Sequence, residues 1–335
     1  MPSPRNAVPH PRDALFAGER AIPVIPACEH FAGSEKLIGK ALELQGKLGP
    51  IFDVTCDCED GAEAGKEKQH AEMVVDMLTS TANLQSMAGV RIHDYTHPHW
   101  KKDVDIVVGG AGKVLSHVTV PKVTAASQAA EMIGYIEETA RRKKLKRDIP
   151  VHVLIETHGA LHEAWQIAGL DHVQVLDFGL MDFVSAHHGA IPVAAMVAPG
   201  QFEHPLVVRA KCEIAAAALA HDIVPAHNVT RALDDPDRAF DDARRARDEF
   251  GYLRMWSIHP SQIDAIVDAM RPAVPEVEKA QAIVHAAQDA QWGPLRIDGE
   301  LHDRASYRAA WSTLQRARAA GIPLDPRSAA YFATS

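Results

Sequence analysis

Short apolar runs recur along the chain and alternate with stretches whose apolar positions fall three and four residues apart. The runs are AIPVIPA (21–27), IFDVTCD (51–57), AGVRIH (88–93), SHVTVPK (116–122), VHVLIET (151–157), HVQVLDFG (172–179), DIVPAH (222–227) and YLRMWSIH (252–259). Each is short enough for a strand, and most are rich in Val and Ile, as a strand buried on both faces is. Between them Leu37, Ile38, Ala41, Leu42 and Leu48 recur at helical spacing behind a Ser34 cap, and Met132, Ile133 and Ile136 do so behind Thr124. The stretch DDPDRAFDDARRARDEF places Asp235 at a cap and Pro236 at the first helical position, where its missing N–H is no loss. Further helices fit 66–80, 160–168, 204–219, 261–270 and 276–290.

Eight strands alternating with helices predict a parallel sheet, either open and doubly wound or closed. No G-x-G-x-x-G follows the first strand and no phosphate-binding Walker loop occurs. A count of eight over this length favours a closed (β/α)8 TIM barrel with a C-terminal helical extension. The expected division is a loose Pro-rich arm over 1–18, the barrel over 19–292, and a C-terminal extension or lid over 293–335.

Composition narrows the partners. A net charge of −9 with acids and bases interspersed offers no basic face to nucleic acid or anionic lipid. The one basic run, ARRKKLKRD (140–148), closes an apolar-periodic helix, where cations suit the dipole. The first residues lack an apolar core of signal-peptide type, and no apolar run approaches the roughly 20 residues that span a bilayer. Cysteines at 28, 56, 58 and 212 form no disulfide framework. The expectation is a cytoplasmic protein acting on a small molecule, without nucleic acid or membrane.

In a barrel of this kind chemistry sits at the C-terminal ends of the strands. Those ends carry Asp57, Glu59 and Asp60 after strand 2, and Arg91, His93 and Asp94 after strand 3. Lys122 ends strand 4, Glu156 strand 5, Gly179 and then Asp182 follow strand 6, and His259 ends strand 8. Carboxylates crowded together repel unless cations join them. Arg91 and Lys122 supply part of that charge. A divalent ion held by Glu156 and Asp182 from consecutive strands would supply the rest, and oxygen ligands with open positions suit Mg²⁺, or Mn²⁺ in its place.

The segments VRIH, VPKV, LIET, FGLMDF and IHPSQI, in this order on successive strands, resemble the citrate lyase β-subunit-like proteins, grouped with malyl-CoA lyases and HpcH/HpaI aldolases. CDCEDGA resembles that family's D-L-E-D segment, with Cys58 where Leu is usual, and IDGELHD (297–303) its late G-x-M-x-D element. The resemblance spans about residues 20 to 310. It implies a TIM-barrel carbon–carbon lyase, cleaving or forming a β-hydroxyacyl-CoA of the malyl- or citramalyl-CoA kind. It also implies Mg²⁺ on Glu156 and Asp182, and Arg91 on the reacting oxygen. Asp303 becomes the acid–base carboxylate, often supplied by a neighbouring subunit, in a homotrimer or hexamer. Glu59, Asp60, Lys122, Gly179 and Asp57 would bind substrate or support the metal ligands.

Several residues admit two roles. Asp303 precedes the helical pattern RASYRAAWSTLQRARAA and is equally an N-cap. Lys122 fits a structural partner of the strand-2 acids as well as a substrate contact. His259 fits a cap for the helix at Ser261. HPHW and AHHG lack the spacing of a zinc site. Glu29 and His30 in the first loop, His227 after strand 7 and Met255 before IHPSQ depart from the family pattern. These departures leave open an aldolase of a free 2-oxo or hydroxy acid, or a ligand-binding barrel without turnover.

Overall fold

The computed structural model describes residues 9–19, 21–61 and 64–333. Eight parallel strands close into a barrel in sequence order: β1 Cys28–Ala32, β2 Phe52–Asp57, β3 Ala88–Arg91, β4 Leu115–Val120, β5 Val151–Ile155, β6 Val173–Phe178, β7 Val224–His227 and β8 Arg254–Ser257. Closure is made by β1 against β8, with Cys28 opposite Met255 and His30 opposite Ser257.

Seven of the strands lie within the runs read from sequence, give or take a residue, but the first does not. Residues 21–27 form no strand, and β1 begins at Cys28. Pro23 and Pro26 lack the N–H that a ladder needs, so the apolar run stays a loop and the polar CEHFA pairs instead. The helix Trp100–Ala111, between β3 and β4, completes the alternation. The stretch 160–168 is two one-turn helices, His158–His162 and Ala164–Ala168. Ser34 and Asp235 cap their helices by accepting from Leu37 N and Arg238 N, and His259 accepts from Ser261 N.

Helices pack on the outward faces of the strands through one core that includes Val54, Val90, Val118, Val153 and Leu176. Cys56 and Cys58 are fully buried free thiols, filling the role of small apolar side chains.

The barrel interior is polar in its lower part. Arg254 donates to Glu29 at 2.7 Å and also pairs with Asp53, all on β8, β1 and β2. Thr55 donates to Glu29 at 2.5 Å and its hydroxyl meets His117 Nε2 at 2.8 Å. His117 stacks on His152, centroids 3.9 Å apart and planes at 7°. Trp256 Nε1 donates to Asp177 Oδ1 across the barrel at 2.6 Å. Burial would keep Glu29 neutral, but Arg254, His152 and His117 outweigh it and hold the carboxyl well below its ordinary value. Burial, aided by Glu29, pushes Asp177 the other way, well above it. The one guanidinium of this network thus pairs with Glu29 and Asp53, and Asp177 has the Trp256 N–H instead.

Contacts divide the chain into two compact units, Pro26–Met270 and the pair of segments Met1–Ile25 and Arg271–Ser335. Helix Val274–Asp289, placed with the barrel by the sequence reading, packs on helix Arg304–Ala319 in the second unit through Val277, Val284, Tyr307 and Leu314. Of the arm expected to be loose, residues 1–8 lie outside the described residues, while Pro11–Phe16 is helical with Leu15 buried in that second core. Leu15 contributes apolar area that an unattached arm would leave in water.

Candidate active site

The C-terminal ends of β2 to β6 bring the predicted charged residues together. Arg91 ends β3 with its guanidinium forked onto Asp57 of β2, Nε to Oδ1 at 2.7 Å and Nη2 to Oδ2 at 2.6 Å. Its third nitrogen, Nη1, reaches Glu59 Oε2 at 2.9 Å, and Asp60 stands 3.6 Å from Nη2. The ring of Phe31, stacked on Trp256 at 4.1 Å, lies under the guanidinium, 5.4 Å from Cζ. Burial alone would raise Asp57, but Arg91's charge and paired hydrogen bonds hold it below its ordinary value.

Lys122 reaches the same acids from β4. Its ammonium lies 2.7 Å from Glu59 Oε1, 3.2 Å from Asp60 Oδ1 and 4.0 Å from Asp182 Oδ1. Those carboxylates outweigh burial and raise its pKa, so it stays charged. The backbone at Lys122 is left-handed, φ +49°, an uncommon conformation for a residue with a Cβ. That turn aims its N–H at Glu156 Oε1, 2.7 Å away. Glu59 bridges Arg91 and Lys122, and burial still raises its pKa against their pull.

Glu156 lies at the end of β5 with 2% of its surface exposed. Burial first, and the nearby charge of Asp182 second, push its carboxyl up to about 8; Arg91 and the Lys122 N–H only partly offset this. Asp182 lies on the first turn of helix Leu180–Ser185, just past β6, with its side chain about half exposed. Gly179 lies between them. A Cβ there would overlap Glu156 Oε2 and come within 2.5 Å of Glu156 Cβ. The missing side chain is what lets the carboxylate sit against the β6 backbone.

A buried, proton-holding carboxylate facing a second, more exposed one fits a hard divalent cation with open positions. Glu156 and Asp182 would hold it, and it would supply positive charge to an oxygen-rich substrate. A second group, Glu29, His117 and His152, offers three ligand atoms within 4.8 Å of one another. It does not suit a metal. The two imidazoles are stacked face to face, so their lone pairs point along parallel planes and cannot converge on one ion. Arg254 already neutralises Glu29. Burial and His117 push His152 down to about 3, a neutral ring in a proton-bearing network.

Asp303, the predicted acid–base carboxylate, lies in the second unit as the N-cap of helix Arg304–Ala319, its Oδ1 accepting from Ala305 N at 3.0 Å. Three positions that depart from the family pattern are interior ones: Glu29, His227 and Met255 are each fully buried. His227 packs against the buried Lys211. The wall of Phe31 and Trp256 beside Arg91 has no local signal in sequence, because β1 and β8 meet only when the barrel closes.

Gly179→Ala is expected to displace Glu156, lowering metal affinity and turnover together by about a hundredfold at a stability cost of about 1–3 kcal/mol. Calorimetric Mg²⁺ titration beside thermal unfolding checks this, and unchanged metal affinity would refute it.

The family model for HpcH/HpaI aldolase/citrate lyase matches residues 52–260. The chain is 51% identical to a citrate lyase of Burkholderia xenovorans LB400, whose crystal structure superposes with a TM-score of 0.84 over 96% of this chain and 99% of that one. It is 24% identical over 270 residues to the L-malyl-CoA/β-methylmalyl-CoA lyase of Cereibacter sphaeroides, covering 77% of this chain and 84% of the relative. The CitE protein of Mycobacterium tuberculosis, solved with magnesium, acetoacetate and coenzyme A, shares the fold at a TM-score of 0.66 and 21% identity, over 89% of this chain and 98% of that one. A matched segment that contains Asp57, Glu59, Asp60, Arg91, Lys122, Glu156, Gly179 and Asp182, on a closed eight-stranded barrel, establishes that the chain belongs to the HpcH/HpaI aldolase/citrate lyase family, a family of lyases.

Proposed function

We propose that the protein is a Mg²⁺-dependent carbon–carbon lyase that cleaves, or in reverse forms, a short β-hydroxyacyl-CoA thioester of the malyl- or citramalyl-CoA kind. The observation that carries this reading is Glu156, a buried carboxylate with its proton affinity raised, cradled by Gly179 beside Asp182. Bound there, the ion would polarise the oxygens of a 2-hydroxy or 2-oxo acid. Arg91, fixed by Asp57 and Glu59, presents a guanidinium in a nearly dry site to the negative charge that develops on oxygen as the bond breaks. Lys122 and Asp60 close the rim and orient the carboxylates. Asp303 is assigned the proton delivered at the α-carbon, on the family resemblance.

A thioester is favoured over a free acid because the departures that spoke against it, Glu29, His30, His227 and Met255, are all buried side chains. The experiment is to incubate the protein and Mg²⁺ with malyl-, β-methylmalyl- and citramalyl-CoA and, separately, with the free acids, trapping the released 2-oxo acid. Cleavage of free acids alone would move the assignment to an aldolase of unesterified substrates. No cleavage in either set, with ligand still bound, would make it a binding protein.

The raised pKa of Glu156 has its own consequence. Metal displaces the proton, so apparent Mg²⁺ affinity is expected to rise roughly tenfold per pH unit up to about 8 and then level off. Calorimetry in buffers of different ionisation enthalpy reads the proton released; an affinity flat from pH 6 to 8 would contradict it.

A further inference from the structure

His93 stands two residues beyond Arg91, just past the end of β3, and nothing in the arrangement of Glu156 and Asp182 employs it. Its ring is firmly set. Asp103, fully buried on helix Trp100–Ala111, accepts through Oδ2 from His93 Nδ1 at 2.6 Å and from its backbone N–H at 3.0 Å. His97 stacks on the ring face at 4.0 Å, with planes at 15°. With Nδ1 turned outward to the helix, Nε2 turns the opposite way. Among the described residues Nε2 has no hydrogen-bond partner.

A carboxylate on Nδ1–H fixes the tautomer and leaves the Nε2 lone pair available. A histidine present only to order its loop needs no such arrangement, because the backbone N–H to Asp103 already performs that task. The charged groups facing the ring are Asp103 from its helix, Glu59 from the loop after β2 and Glu67 from helix Glu67–Thr79, with His97 above it. Burial lowers the proton affinity of the ring, and the three acids more than restore it, raising the pKa above the ordinary value. Glu59 also bridges Arg91 and Lys122, which places His93 at the edge of the same charged cluster.

We propose that His93, held by Asp103, is the base that takes the β-hydroxyl proton of the substrate, an inference that rests on the lyase reading above. The balance is simple. Nε2 accepts the hydroxyl proton, the oxygen's electron pair forms the carbonyl of the departing 2-oxo acid, and the bond between the α- and β-carbons breaks. Its electrons pass to the thioester as an enolate, and the α-carbon takes a proton from Asp303. Exchange with water then removes the proton from His93 and returns one to Asp303. Nothing is oxidised or reduced.

The test compares wild type with His93→Asn and Asp103→Asn on whichever CoA thioester the wild type cleaves. His93→Asn should lower kcat roughly 10²- to 10³-fold with KM and Mg²⁺ affinity within a few-fold of wild type. It should also remove the limb of the kcat profile in which activity rises with pH. Asp103→Asn should shift that limb to lower pH, and added imidazole should restore part of the His93→Asn activity. A His93→Asn enzyme with wild-type kcat and an unchanged profile overturns the proposal, as does an effect confined to KM, which would make His93 an anion contact. If the wild type cleaves no thioester, the lyase reading fails instead. NMR titration of the His93 C2 proton then still reports whether Asp103 raises its pKa.

Discussion

Glu156→Gln is expected to leave a folded protein that no longer binds Mg²⁺ and turns over at least about 10³-fold more slowly. The substitution keeps the shape and the acceptor for the Lys122 N–H while removing the charge. Glu156 is buried and holds its proton up to about pH 8, so a neutral amide costs the metal-free fold little. The whole loss therefore falls on the cation and on the charge it would supply, a matter of several kcal/mol in the transition state, or about three orders of magnitude. Asp182→Asn should weaken Mg²⁺ less, since Asp182 is half exposed and water can replace one ligand. The measurement is Mg²⁺-induced stabilisation alongside kcat. Mg²⁺-dependent turnover surviving in Glu156→Gln and Asp182→Asn together would remove the metal site from these residues.

The second large effect is on stability. Arg254→Met should destabilise the barrel by about 3–5 kcal/mol, because it strips the cation from Glu29 and Asp53 in a fully buried network. Methionine fills most of the volume, so the cost is electrostatic rather than a cavity. The two acids can escape only by taking up protons, and their pKa values then lie above those of the unfolded chain. The deficit should consequently grow as pH rises above the ordinary carboxylate range and shrink in acid. Adding Glu29→Gln should recover part of the loss, since a neutral amide no longer needs the cation. Denaturant unfolding of both variants at two pH values reads this, and a single variant within 1 kcal/mol of wild type would show that the network carries no such weight.

The cysteine pair in TCDCEDG shows how local pattern and packing divide the work. Alternation along β2 places Asp57 on one face, where it meets Arg91, and Cys56 on the other, and Cys58 just past the strand joins Cys56 in the core. Period and spacing alone settled seven of the eight strands, the caps at Ser34 and Asp235, and the gathering of Asp57, Glu59, Asp60, Arg91, Lys122 and Glu156 at one end of the barrel. These are properties of short segments, and a strand's end follows from its own apolar run.

Other features required the closed barrel. The first strand was misplaced because β1 is polar, and a polar strand is stable only where Arg254, 225 residues away, meets Glu29. The left-handed turn at Lys122, the fit of Gly179 against Glu156 and the His93–Asp103 pair each join separate elements, so no spacing along the chain announces them. Local propensity decides which elements form and which residues end them. Charge pairing in a low-dielectric interior is a property of distance in space, and only the tertiary structure determines which acid keeps its proton and which meets a cation.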